Sequence, residues 1–249
     1  MLDLACGTGA NLRELAPRLG GSQCWTLVDH DPALLGALPG VLAAWTQANG
    51  FVLEAGATRM HIEGPGWNAE VRPVCIDLAL ELGAVPFAGT RLVTASALLD
   101  LVSASWLDAL FAHARMAGAA MLFALNVDGR IAWNPPVAGD AEVDRLFASH
   151  QRRDKGFGPA LGGTAVSFAV SRLRALKYEV AQAASDWRID AGENASGTAM
   201  LTAMVEGMGA AAIEQDPTAR ASVSEWMQRR IDVLDHTSLC IGHQEILAT

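Results

Sequence analysis

Charge is scarce in this chain, and basic charge most of all. Only 18% of its 249 residues are charged, 18 of them Lys or Arg against 27 Asp or Glu, for a formal net charge of −9. Such a balance argues against a broad phosphate-binding surface, so nucleic acid is not an expected partner. Long hydrophobic runs are missing as well. Stretches such as Ala117 to Leu125 are too short to span a bilayer, and no membrane association is expected. Cysteine is sparse: Cys6, Cys24, Cys75 and Cys240 lie far apart, with no pair at metal-ligand spacing. Buried free thiols in a reducing cytoplasm are the expectation, and no Cys/His/Asp cluster suggests a metal. Internal repeats, low-complexity tracts and interdomain linkers are absent too. At 51% apolar residues, the chain has the composition of one packed α/β domain over residues 1–249.

What is present begins at once. Leu2, Leu4 and Ala5 form a short apolar run with the character of a buried strand, Gly7-Thr8-Gly9 a tight turn, and Leu12, Leu15, Ala16 and Leu19 recur at helical spacing. Strand, glycine turn and helix make the opening unit of a nucleotide-binding sheet, where a ligand approaches bare backbone in front of a helix N-terminus. A dinucleotide fingerprint needs a third glycine where Leu12 stands, and no Gly-Lys-Ser/Thr phosphate loop exists.

The stretch Asp3-Leu4-Ala5-Cys6-Gly7-Thr8-Gly9 resembles the Asp-x-(Gly/Ala)-x-Gly-x-Gly motif of class I, Rossmann-like S-adenosylmethionine-dependent methyltransferases. That resemblance implies a doubly wound, mostly parallel sheet with helices on both faces and an antiparallel late strand. It implies S-adenosylmethionine as cofactor, S-adenosylhomocysteine as product, and in-line methyl transfer to an O, N, C or S atom of a small-molecule acceptor. Asp3 would support the methionine end, and the backbone of Ala5, Gly7, Thr8 and Gly9 would lie under the carboxypropyl portion. In this superfamily the first strand lies mid-sheet and is usually preceded by helices that cover the substrate. Here it begins at or before Met1, so a missing N-terminal segment is expected, with no signal peptide and a cytoplasmic location.

Further along, Cys24 to Val28 reads as the second strand, closing on Asp29-His30-Asp31-Pro32. Asp31 before Pro32 is a helix N-cap, which leaves Asp29, 20 residues after Gly9, free to grip ribose hydroxyls beside His30. The following helix should run from Pro32 to Gln47 with Leu34, Leu35, Leu38, Leu42 and Trp45 inward. A hairpin is expected around Gly64-Pro65-Gly66, its second arm entering the sheet as strand three. Asp77 and Leu78 then resemble the family's adenine contact, although Asp77 could equally cap a helix. Strand four, Arg91 to Thr94, is followed by Ala95 and Ser96 on the sulfonium side and by Asp100, a candidate to orient or deprotonate the acceptor or else to cap the next helix.

Strand five should span Ala119 to Val127, with Asn126, Asp128 and Arg130 at its end and a turn at Asn134-Pro135-Pro136. The basic stretch carrying His150, Arg153 and Lys155 could receive an anionic substrate group or be a solvated helix end. Met200, Met204 and Met208 form an apolar helical stripe, Asp216-Pro217 opens another helix, and His236 to Leu247 suits the antiparallel late strand. Two rival readings are a catalytically silent S-adenosylmethionine-binding scaffold and an NAD-linked oxidoreductase. The sequence leaves the acceptor and the oligomeric state open.

Overall fold

The computed structural model describes residues 1–56, 58–192 and 195–249, with Ala195 described in its backbone alone. Strand β1 (Leu2–Leu4) runs into the glycine turn and helix α1 (Ala10–Leu19). Strand β2 (Gly21–Asp29) leads to α2 (Pro32–Asn49), and β3 (Val52–Ala55), β4 (Met60–Gly64) and β5 (Trp67–Cys75) follow. Next come β6 (Leu92–Ser96), α3 (Ala104–Ala117) and the long β7 (Ala120–Asn134). The remaining elements are α4 (Asp140–Gln151), α5 (Ala165–Ala175), β8 (Val180–Ala184), β9 (Trp187–Asp190), α6 (Ala195–Gln215), α7 (Arg220–Asp232) and β10 (Ser238–Ala248).

The ten strands form one sheet in the order β3-β4-β5-β2-β1-β6-β7-β10-β8, with β9 paired to β10. From β5 through β7 every pairing is parallel, while β10 runs antiparallel between β7 and β8. Strand order reverses at β1, which has β2 on one side and β6 on the other, and ligands of open α/β sheets sit outside the carboxyl ends at such a point. Period-two alternation feeds both faces: Leu27 of β2 joins the core under α1 and α2, and its neighbour Val28 joins the core under α3 and α5. Among the described residues, no helix is long and apolar enough to cross a membrane.

Local chemistry sets the boundaries. Asp31 caps α2 by accepting from the Ala33 amide at 2.7 Å, and Ser103, not Asp100, caps α3 by accepting from the Trp106 amide. Asp216 accepts from the Thr218 amide ahead of α7, and the hairpin closes at Gly64–Trp67 with β5 parallel to β2.

Several expectations are corrected. Strand β7 does not stop at Val127 but continues to Asn134, because β10 pairs with it on both sides of an irregularity at residues 128–130. Buried Asn126 donates through Nδ2 to the carbonyls of Phe123 and Gln244 at 3.0 and 2.9 Å, which offsets part of the cost of burying it, while its Oδ1 has no partner. An edge strand, β3, lies where no regular element was expected. Leu34, in the first turn of α2, and Met200, one position before buried Leu201 in α6, face outward at 39% and 45% exposure. Cys24 and Cys75 are exposed rather than buried, and Cys6 alone of the four is buried.

A third apolar cluster lies beyond the parallel sheet. The outer half of β7, with β9 and β10, packs against α4, α6 and α7 through Trp133, Val143, Leu201, Val205, Trp226 and Ile241. Arg230, fully buried at its centre, donates to both oxygens of Asp140 and to the Pro135 carbonyl, and its guanidinium lies 4.5 Å from the Trp133 ring centroid.

Candidate functional site

Asp3 sits at the centre of the crevice. It is fully buried in β1, between Leu27 of β2 and Thr94 of β6. Its Oδ1 accepts from Asn11 Nδ2 at 2.9 Å, and Asn11 also donates to Thr94 Oγ1. Its Oδ2 is buried with no hydrogen-bond partner. Desolvation, with a smaller push from the Asp29 charge and opposed by the Asn11 bond, raises the carboxyl pKa to about 7. An orphaned carboxylate oxygen in such a place calls for a cation or a proton.

Ahead of Asp3 the backbone enters the left-handed region at Ala5 (φ 51°), Gly7 (φ 53°) and Gly9 (φ 78°). Gly9 ends the turn and begins α1; a Cβ there would lie 3.0 Å from Leu38 Cδ1, so glycine is required both by conformation and by packing. Gly7 has nothing within 4 Å of the corresponding position, which leaves its face open to a ligand. The Thr8 carbonyl accepts from Arg13 at 2.5 Å. Burial pushes the Cys6 thiol pKa up, which keeps it protonated and inert.

Asp29 is not the free carboxylate that the sequence suggests. Its Oδ2 accepts from the Gly7 amide at 2.8 Å and its Oδ1 from the Asp31 amide at 3.0 Å, because the turn after β1 folds back against the end of β2. Two of its four acceptor positions remain. Exposed His30 has Nδ1 3.6 Å from Asp29 Oδ1. Asp77 lies two residues past the end of β5; its Oδ1 accepts from the Ala79 amide, and the carbonyl of buried Leu78 accepts from Trp106 Nε1 at 2.7 Å. Ala95 is buried in β6 and Ser96 is half-buried at its end.

A cavity of about 280 Å³ opens beside Ala97 and Asp100, just past β6. Leu125, Val127 and Ile131 of β7 form one wall and Ile241 and His243 of β10 another. Phe147 of α4, Trp187 of β9 and Met204 of α6 complete an apolar enclosure. Ala97 and Leu125 are themselves left-handed, at φ 53° and 52°. The Ala97 amide donates to the Ala124 carbonyl, and the Leu125 amide to Glu245 Oε1 at 3.2 Å. With Ala5, three of the four left-handed non-glycine residues among those described lie along this crevice, the pattern of strain retained for a site.

Two polar groups stand out in the cavity. Asp100 is half-buried, and desolvation raises its pKa against the opposing influence of its backbone hydrogen bond and of His243 and Lys155. His243 is 5% exposed; its Nδ1 lies 3.1 Å from the Ile241 carbonyl, and its ring packs on Trp187 with centroids 4.8 Å apart. The sequence reading overlooked His243, a lone histidine in the predicted late strand whose position in the cavity wall depends on β10 lying against β7. At the rim, Arg130 pairs with Asp128 and Asp186, so its charge is neutralised locally.

The basic stretch is placed elsewhere. His150 Nε2 lies 3.2 Å from Glu214 Oε2, and Arg153 donates to Glu214 Oε1 at 2.5 Å, tying the end of α4 to α6. Phe147 and Gln151 reach the cavity from that helix instead. Lys155 lies on the following exposed loop, near enough to Asp100 to act on its charge. Among the described residues, no group of three or more His, Cys, Asp or Glu is arranged to hold a metal.

No protein-family model matches the chain, and a comparison with curated proteins returns no match. Comparison with solved structures does return matches. The fold itself is a doubly wound, mostly parallel sheet with an antiparallel late strand. A mycolic acid cyclopropane synthase complexed with S-adenosylhomocysteine is similar over 100% of this chain and 77% of its own, at 10% identity and a TM-score of 0.47. A SAM-dependent methyltransferase from Thiobacillus denitrificans, also with S-adenosylhomocysteine, covers 100% and 84% at 16% identity and a TM-score of 0.41. Precorrin-6y C5,15-methyltransferase from Geobacter metallireducens covers 78% and 69% at 13% identity and a TM-score of 0.39.

Proposed function

We propose that this chain is an S-adenosylmethionine-dependent methyltransferase acting on a small molecule. The observation that carries the reading is the buried, unpartnered Oδ2 of Asp3 behind the glycine turn. A dinucleotide would bring an anionic pyrophosphate to this turn, and Asp3 would repel it. An amino-acid end would bring an ammonium, which answers the orphaned oxygen directly.

The remaining roles follow the crevice. The open backbone of Gly7 to Gly9 would lie under the carboxypropyl portion, and the unused acceptor positions of Asp29 would take ribose hydroxyls. The second oxygen of Asp77 would accept from the adenine amino group, with Leu78 against the ring and Ala95 and Ser96 toward the sulfur. When bound, S-adenosylmethionine supplies a methyl group already activated on sulfonium. The chain's own task is then to align the acceptor and exclude water, for which the apolar cavity beside Ala97 is suited.

Titration calorimetry with S-adenosylhomocysteine tests this reading, on the parent, Asp3→Asn and Asp29→Ala. The expected result is micromolar binding by the parent and a loss of about 1–3 kcal/mol in each variant. Binding of NAD without binding of S-adenosylhomocysteine overturns it.

A further inference from the structure

His243 and the enclosure around it carry an inference that the cofactor crevice does not. The Ile241 carbonyl can only accept a hydrogen bond, so His243 Nδ1, 3.1 Å away, must be the N–H donor. In the neutral ring this arrangement places the lone pair on Nε2, and His243 lines the cavity. A buried imidazole held by one nitrogen, with a lone pair available on the other, is a base in waiting.

We propose that the cavity binds an uncharged phenol and that His243 Nε2 takes its proton during methyl transfer; this inference rests on the methyltransferase reading above. The choice of acceptor follows from three features. The walls are apolar and include the aromatic rings of Phe147 and Trp187, which suit a flat apolar body. At about 280 Å³ the space takes one or two rings. A neutral amine already carries the lone pair it needs for attack, whereas a hydroxyl must shed its proton as it attacks, which is what a poised base serves. A phenol is acidic enough to pass its proton to a neighbouring base as the new bond forms, whereas an aliphatic alcohol is a far weaker acid.

In the step, the phenol oxygen forms its bond to the methyl carbon as the carbon–sulfur bond breaks. The electron pair of the broken bond stays on sulfur, leaving a neutral thioether, and the phenolic proton passes to Nε2. The resulting imidazolium is stabilised by Asp100 in the same cavity. It returns its proton to water after the ether product departs. Other charges near His243 include Asp186, which accepts from the His243 amide at 3.2 Å, its partners Arg130 and Asp128, Arg188, and Glu245 further along β10.

The test uses the full chain saturated with S-adenosylhomocysteine and labelled with nitrogen-15 in histidine, with p-cresol as the probe. The expected spectrum shows a pyridine-like Nε2 and a pyrrole-like Nδ1 for His243, with Nε2 shifting as p-cresol is added. The methyl ether of p-cresol, which has no proton to donate, should bind at least about tenfold more weakly. His243→Gln keeps an acceptor but no base. It should hold p-cresol within about threefold of the parent while losing about 100-fold or more in methyl transfer from S-adenosylmethionine. His243→Phe should lose both. S-adenosylhomocysteine binding with no response of His243 to p-cresol, or full transfer activity in His243→Gln, overturns this inference and leaves the cofactor reading intact. Failure to bind S-adenosylhomocysteine overturns both.

Discussion

Asp3 shows how far one carboxylate can report on a site. Burial without a cation raises its pKa to about 7, so the folded chain keeps a proton that the unfolded chain gives up near pH 4. The unfolded state therefore binds fewer protons across that window, and stability falls as pH rises from about 4 to about 7. An ammonium beside Oδ2 would lower this pKa again, so ligand binding near pH 7 must release a proton. We expect S-adenosylhomocysteine affinity to rise from about pH 6 to about pH 8, with up to about half a proton released at pH 7. Calorimetry in buffers of different ionisation heat measures this release. Asp3→Asn should bind more weakly with no proton release, and should flatten the melting temperature of the free chain over the same range.

At the scale of elements, β7 is where prediction and structure part. Its first half pairs with β6 in the parallel sheet, and its second half, from Asn126 to Asn134, pairs with β10 alone. The sequence of that half reads as a loop because Asn126, Asp128, Gly129 and Arg130 break the apolar alternation. The partners that hold them in a strand are mostly distant in sequence: the Gln244 carbonyl for Asn126, and Asp186 beside Asp128 for Arg130. Local signals were legible: the glycine turn, the caps at Asp31 and Asp216, the hairpin and the antiparallel late strand. His243 and the pairing of His150 and Arg153 with Glu214 were not, since each depends on which distant strand or helix lies alongside. The fastening between α4 and α7 is equally nonlocal. Asp140 accepts from Arg230, from Trp226 Nε1 at 2.8 Å and from the Val137 amide. Arg230→Ala would leave half-buried Asp140 without its cation beside Asp144, whose pKa burial and the Asp140 charge already raise to about 6. A loss of about 3–5 kcal/mol in urea unfolding is expected, exceeding that of any rim substitution such as Arg130→Ala.

On the scale of the whole molecule, one apolar cluster closes the acceptor side and two others build the sheet that carries the cofactor crevice. Helix α4 places Phe147 and Gln151 against the cavity, and α6 places Met204 there. Hydrogen exchange should therefore slow in these helices when p-cresol binds and change little with S-adenosylhomocysteine alone, whose protection should fall on the Gly7–Gly9 turn. The division has a consequence for how such a protein changes over time. Residues proposed to grip the cofactor come from the first 96 positions, and the cavity is walled by residues from 97 onward. Among the described residues no hydrogen bond joins Phe147, Trp187 or Met204 to the turn at Gly7, so on the proposed reading a replacement that reshapes the cavity leaves the proposed cofactor turn in place. Drift in one half is insulated from the other, and new acceptors are within reach of single substitutions in the cavity wall.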